Sequence, residues 1–258
     1  MGLHCTVEYR IGHPPVCGEG RRAPDEDEFK RYLDSRILAK FKRSSANALL
    51  GEMLDGLGQL GFKADTLKSQ FEQLRKPAGW EIGEWIAEAL LADHEGCHFP
   101  WPMAWDKRTA DASLPGADLV GYQRVNQEVR FLFGQVKTSG ERRHPPSVVY
   151  RREKGLTAQL KALAVDGDLL TLIKWLCIRS KAAELEGMFL ESFKAFLDGN
   201  VGICGVLVRD TEPEAKDIRR MCDDLRNMEN LAYETSCFAY YLPMEIIHLP
   251  AMLTQEAS

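Results

Sequence analysis

The 258-residue sequence has no run approaching eighteen consecutive apolar residues, so it predicts no membrane span. It has no basic surplus. Its 33 Lys and Arg against 38 Asp and Glu leave a net charge of −5. That excludes the whole-protein basic field of a nucleic-acid coating protein, but not a local basic track. It has no regular cysteine pattern: Cys5, Cys17, Cys97, Cys177, Cys204, Cys222 and Cys237 are odd in number and stand singly. A disulfide framework is therefore excluded, and reduced thiols are expected. Cys177, Cys204 and Cys237 lie in apolar runs and are expected in the core. The start of the chain lacks a basic-then-apolar signal pattern, so a cytoplasmic protein is expected. No internal repeat, low-complexity tract, helix-turn-helix or zinc finger is recognisable. Asp93-His94-Glu95-Gly96-Cys97-His98 crowds metal-ligating types together, but no second pair stands at zinc spacing, so a helix-ending turn is expected there. Met1-Gly2-Leu3-His4-Cys5-Thr6 matches only the minimal N-myristoylation pattern.

What is present is the balance of a globular protein, 45% hydrophobic and 28% charged, long enough for one large domain or a domain with an appendage. Gly and Pro crowd residues 1–25, which predicts irregular structure with at most a short strand over 6–10. Asp25 or Asp27 is placed to cap a helix running to about 41. Apolar residues at helical spacing predict further helices over 46–60 and 65–74. These define an irregular and helical N-terminal region, 1–76. From Trp80 the pattern becomes mixed, and 77–258 reads as an α/β domain. Helices are expected over 80–91, 155–165, 169–178, 182–197 and 212–228. Strands are expected over 117–122, 129–137 and 235–242, and the continuous apolar run 201–208 reads as a buried central strand. Trp101 and Trp105 have the chemistry to stack on bases but are expected to be core.

Two short elements carry chemistry. Pro115-Gly116-Ala117-Asp118 sets a carboxylate at the start of an apolar strand, and Gln135-Val136-Lys137 ends another. Residues i and i+2 of a strand share a face, so Gln135 and Lys137 point together while Val136 points the other way. A hairpin-like pairing of the two strands would bring Asp118 beside Gln135. Each motif alone is equally at home as a turn or a solvated strand edge. A basic stretch follows, with Arg142, Arg143, His144, Arg151, Arg152 and Lys154, the local charge that phosphate contact needs.

The Asp118 strand, the Gln135-Val136-Lys137 strand and the preceding helix with Glu84 together resemble the PD-(D/E)XK (restriction-endonuclease-like) nuclease superfamily, loosely over 80–210. The sequence departs from the usual pattern at Gln135, where Glu or Asp is commoner. The resemblance implies an α/β fold with a restriction-endonuclease-like mixed sheet flanked by helices, and metal-dependent cleavage of phosphodiester bonds of DNA. It implies Mg²⁺, or Mn²⁺, held by Asp118, the Gln135 amide oxygen, the Val136 carbonyl and Glu84, with Lys137 acting on the attacking water. Glu81 and Glu88 share the helix with Glu84, which is preferred for its central position. Gln159 falls where some members carry a polar residue, although Leu163 breaks the Gln-x-x-x-Tyr form. The layout is also similar to the nuclease subunits of Hachiman-type anti-phage systems, which implies a partner such as a helicase or a sensor; the apolar stripes of 26–75 either dock that partner or complete the core. Two other readings stay open: a catalytically silent nucleic-acid-binding module, suggested by Gln135, and a regulatory subunit.

Overall fold

The computed structural model describes residues 2–38, 56, 77–100, 116–165, 169–182 and 184–255. The expected helices over 46–60 and 65–74, apart from Gly56, lie outside these residues, as do Trp101 and Trp105. Seven strands form one mixed sheet: β1 (Thr6–His13), β2 (Val16–Arg22), β3 (Cys97–His98), β4 (Leu119–Val125), β5 (Glu128–Ser139), β6 (Gly202–Arg209) and β7 (Glu234–Tyr241). Their order is β1-β2-β7-β6-β5-β4-β3. The four central strands β2, β7, β6 and β5 run parallel; β1 is antiparallel to β2 on one side, and on the other β4 is antiparallel to β5 and β3 to β4. Helices α1 (Glu26–Tyr32), α2 (Gly79–His94), α3 (Ser147–Tyr150), α4 (Leu156–Ala164), α5 (Leu169–Ala182), α6 (Glu186–Leu197), α7 (Arg219–Arg226) and α8 (Leu249–Gln255) flank it. The expected α/β class, a mixed sheet between helices, is what the chain forms. Among the described residues no helix is long and apolar enough to cross a membrane.

Strand alternation divides the core in two. Phe131, Phe133, Ile203 and Leu207 face one way and pack with α4, α5 and α7. Leu132, Val136, Cys204, Val206 and Val208 face the other way and pack with α1, α2 and α8. Every residue of β6 is buried, as its continuous apolar run requires of a strand covered on both faces. Asp25 caps α1 through its Oδ1, which accepts from the Glu28 amide at 2.9 Å.

Three expectations need correction. Residues 1–25 are not irregular: they form the β1–β2 hairpin, and β2 joins the parallel centre of the sheet. The hairpin and α1 thus share the sheet and core of the region after residue 77, rather than standing apart in an N-terminal region 1–76. The misleading signal was glycine, because in β2 it marks close approach. A Cβ on Gly20 would lie 2.2 Å from the Tyr9 ring, and one on Gly18 would lie 2.7 Å from the Cys222 sulfur. The expected long helix 212–228 is reduced to a 3₁₀ turn (Ala215–Asp217) and α7, since Pro213 has no N–H and Asp217 turns into the core. Cys177 is exposed. In α5 the buried stripe is Leu169, Leu172, Ile173 and Leu176, and Cys177 stands off it.

The spacing of β5 and β6 depends on Gly134. A Cβ there would lie 2.4 Å from the Cys204 carbonyl oxygen, a backbone atom held in the sheet. Gly134→Ala is expected to destabilise the fold by about 1–3 kcal/mol, read as a lower urea midpoint. An unchanged midpoint would mean that β5 and β6 separate without cost.

Candidate active site

The β4–β5 hairpin turns through Asn126 and Gln127, whose φ values are 47° and 76°, between the paired Val125 and Glu128. Two positive φ angles in a two-residue loop suit the twist of a hairpin and fix its register. That register carries Leu119 to Gly134, and the Asp118 amide then donates to the Gly134 carbonyl at 2.9 Å. The ladder ends there, one residue short of Asp118 on one strand and of Gln135 on the other. There β4 ends while β5 continues to Ser139.

The carboxylate of Asp118 occupies the edge that β4 vacates. Its Oδ2 accepts the Val136 amide at 2.9 Å and lies 3.8 Å from the Lys137 Nζ. The N–H and C=O of one strand residue point to the same edge, so the Val136 carbonyl is turned to this side as well. Gln135 is 4% exposed. Its Nε2 donates to the Gly116 carbonyl at 3.0 Å, and its Oε1 is buried without a hydrogen-bond partner. Such an orphan oxygen costs about 1–3 kcal/mol unless something else occupies it. The Asp118 side chain is 11% exposed and that of Lys137 is 22% exposed.

Asp118, Gln135, Val136 and Lys137 are therefore brought together. Glu84 arrives on a separate element. It is half-buried on α2, beside Gly83, where the helix backbone closes on Thr138 of β5. This helix covers the sheet face opposite to the one Gln135 and Lys137 share. Of the neighbouring glutamates, Glu81 accepts the Ala78 amide at 2.9 Å and so serves the helix start, while Glu88 is buried. Gln159, on α4, also has its side-chain oxygen buried without a partner.

Among the described residues, no three His, Cys, Asp or Glu side chains cluster as a metal cage. The donors at the β4–β5 fork are instead one carboxylate, one buried amide oxygen and one backbone carbonyl. These are hard oxygen donors, and Mg²⁺ needs only one or two carboxylates because it keeps several waters. The residues present fit such an ion. The stretch 93–98 closes α2 at His94, turns through Glu95 and Gly96 and enters β3 at Cys97, and its acids are engaged within the fold: Asp93 accepts from the Tyr32 hydroxyl at 2.9 Å and pairs with Arg36, and Glu95 pairs with Arg21.

The basic stretch leaves β5 over the same end of the sheet. Arg142, Arg143, Arg151, Arg152 and Lys154 are exposed. Arg142 donates to the Asp210 carbonyl at 3.2 Å, and Arg143 pairs with Glu141 at 3.0 Å. The Ser147 hydroxyl and amide hold Glu141 below the usual carboxylate range. What anchors this loop was not foreseen. Arg209 is wholly buried and donates to the carbonyls of Ser139 at 3.2 Å and Arg143 at 3.1 Å. It also lies 3.3 Å from Asp217, equally buried, which accepts from the Tyr241 hydroxyl at 3.0 Å and sits 2.8 Å from His144 Nδ1. The available signal was an arginine ending an otherwise apolar strand.

No protein-family model matches this sequence, and no curated protein matches it either. The geometry of the fork therefore carries the functional argument. If Gln135 Oε1 is an ion ligand, Gln135→Glu should lower the stability of the metal-free protein, since it buries a second carboxylate beside Asp118. Added Mn²⁺ should then raise the melting temperature more in this variant than in the parent. Equal Mn²⁺ shifts in the two proteins would remove Gln135 from the ligand set.

Proposed function

We propose that this chain is a metal-dependent nuclease that hydrolyses phosphodiester bonds of DNA. The observation that carries the reading is the fork where β4 leaves β5. There Asp118, fixed by the Val136 amide, stands with Lys137 and the unpartnered oxygen of Gln135. Asp118, Gln135 and the Val136 carbonyl would hold Mg²⁺, with Glu84 on α2 as a further carboxylate to hold water. When bound, the ion supplies a Lewis acid for the phosphate and lowers the pKa of its water. Lys137 places an ammonium next to Asp118, where it orients the attacking water and offsets charge accumulating on the phosphoryl oxygens. Asp118 in turn limits the positions open to the Lys137 ammonium. The exposed arginines after β5 contact the backbone on either side of the cut.

The resemblance to PD-(D/E)XK nucleases supports this reading through the same residues. Its defence-system branch adds a partner, a helicase or a sensor that delivers DNA, which suits a chain of net charge −5. One observation favours a silent binding module instead: Gln135 is neutral and its nitrogen is already committed to Gly116.

Plasmid cleavage in Mg²⁺ separates the two. Cleavage by the parent should stop in EDTA. Lys137→Ala and Asp118→Ala should each lower the rate by about 100-fold or more while leaving the circular dichroism unchanged. Undiminished cutting by either folded variant would overturn the assignment, and cutting in EDTA would overturn the metal mechanism.

A further inference from the structure

The two helices that follow β5 and β6 both set out from the carboxyl ends of parallel strands, on the same side of the sheet. Their starts meet there. The Asp217 carboxylate joins the 3₁₀ turn before α7 to His144, 2.8 Å away. Higher up, the Arg220 guanidinium stacks 4.8 Å from the centre of the Tyr150 ring. Burial pushes the Tyr150 phenol up to about 12, so the ring stays neutral beneath the cation. These contacts join two segments about seventy residues apart in sequence, 151–154 and 216–220, into one surface.

That surface is cationic. Arg151, Arg152, Lys154, Lys216, Arg219 and Arg220 are all exposed. Arg220 is shared with Asp224 at 4.0 Å, and the other five make no ion pair with a described residue. Glu153 is the acidic side chain within the first segment. The two arginines also open α7, whose first turn has no acidic residue, so they stand against the helix macrodipole. Arg220 recovers part of that cost through Tyr150 and Asp224, whereas Arg219 has no ion pair among the described residues and is placed to meet an external polyanion.

We infer that residues 216–220 form a second nucleic-acid backbone site, continuous with 151–154, that holds the duplex flanking the cut. This rests on the proposed reading only in taking nucleic acid as the substrate. The chemistry is that of phosphates spaced along a duplex: exposed Lys and Arg heads on a ridge, with counterion release as the driving force.

The test is fluorescence anisotropy of labelled DNA and RNA duplexes of one sequence, titrated in EDTA across a range of salt, so that binding is read without cleavage. Two variants are compared with the parent. One is Lys216→Ala/Arg219→Ala/Arg220→Ala. The other, Lys216→Ala/Arg219→Ala, keeps the stack on Tyr150 and guards against a folding defect. The triple variant should bind at least about tenfold more weakly at physiological salt, with its log K versus log salt slope reduced by about 2–3, and the double variant by about 2. The duplex bound more tightly by the parent identifies the source. Variants that match the parent in affinity and slope would overturn the site, as would a parent that binds neither duplex. A parent that binds duplex in EDTA yet never cuts in Mg²⁺ would sink the nuclease reading and leave this one standing.

Discussion

Parallel pairing covered on both faces is the constraint on which the rest of this molecule depends. Every position of β6 is buried, and β5 is buried from Val129 to Val136. Strands of this kind have no solvated face, so polar chemistry is confined to where they end. The described polar groups follow that rule. Asp118, Gln135 and Lys137 stand where β4 stops short of β5, the basic loop begins where β5 ends, and α7 begins after β6. Catalytic geometry built at a strand end inherits the rigidity of the sheet while keeping access to water.

Arg209 is the exception that the constraint forces. It closes β6 with a guanidinium of zero exposure, and burying an unpaired charge there would cost several kcal/mol. It is compensated by Asp217 and by the carbonyls of Ser139 and Arg143. A hydrophobic residue of the same volume would spare the desolvation, but it would leave those two carbonyls without their donor. What the ion pair supplies is position: the end of β5 and the loop with Arg142 and Arg143 are tied to β6 and, through Tyr241, to β7. His144 is drawn into the same cluster by Asp217, so the loop is held at both ends.

The legible parts of this fold are those in which local pattern and tertiary environment agree. An uninterrupted apolar run can only be β6, and alternation places Gln135 and Lys137 on one face. The hairpin spacing pairs the two strands antiparallel, and the register ends at Leu119 and Gly134, the residues beside Asp118 and Gln135. The illegible parts are those in which a residue's tertiary role inverts its local meaning. Gly18 and Gly20 read as breakers, but they admit Cys222 and Tyr9 against a strand. Asp217 reads as the polar face of a helix, but it is the buried partner of an arginine eight residues away. The ridge over 151–154 and 216–220 could not be read from either segment, because Tyr150 and Arg220 find each other only through the packing of α7 against α4.

Gln135 shows how a neutral group serves such a site. With glutamate there, two carboxylates would stand opposite each other in a nearly dry environment, and one would stay protonated or destabilise the strand pairing. With the amide, Asp118 is the carboxylate that the described residues bring to the fork, where it meets the Val136 amide and Lys137. In the proposed reaction the same economy has a consequence for order. A site with one anionic ligand holds Mg²⁺ weakly by itself and gains its remaining oxygens from water and from the substrate phosphate. Ion and nucleic acid then bind each other's site more tightly than either binds alone, since coupling between two ligands is reciprocal. In that reaction the site would therefore assemble its full charge only on the backbone to be cut.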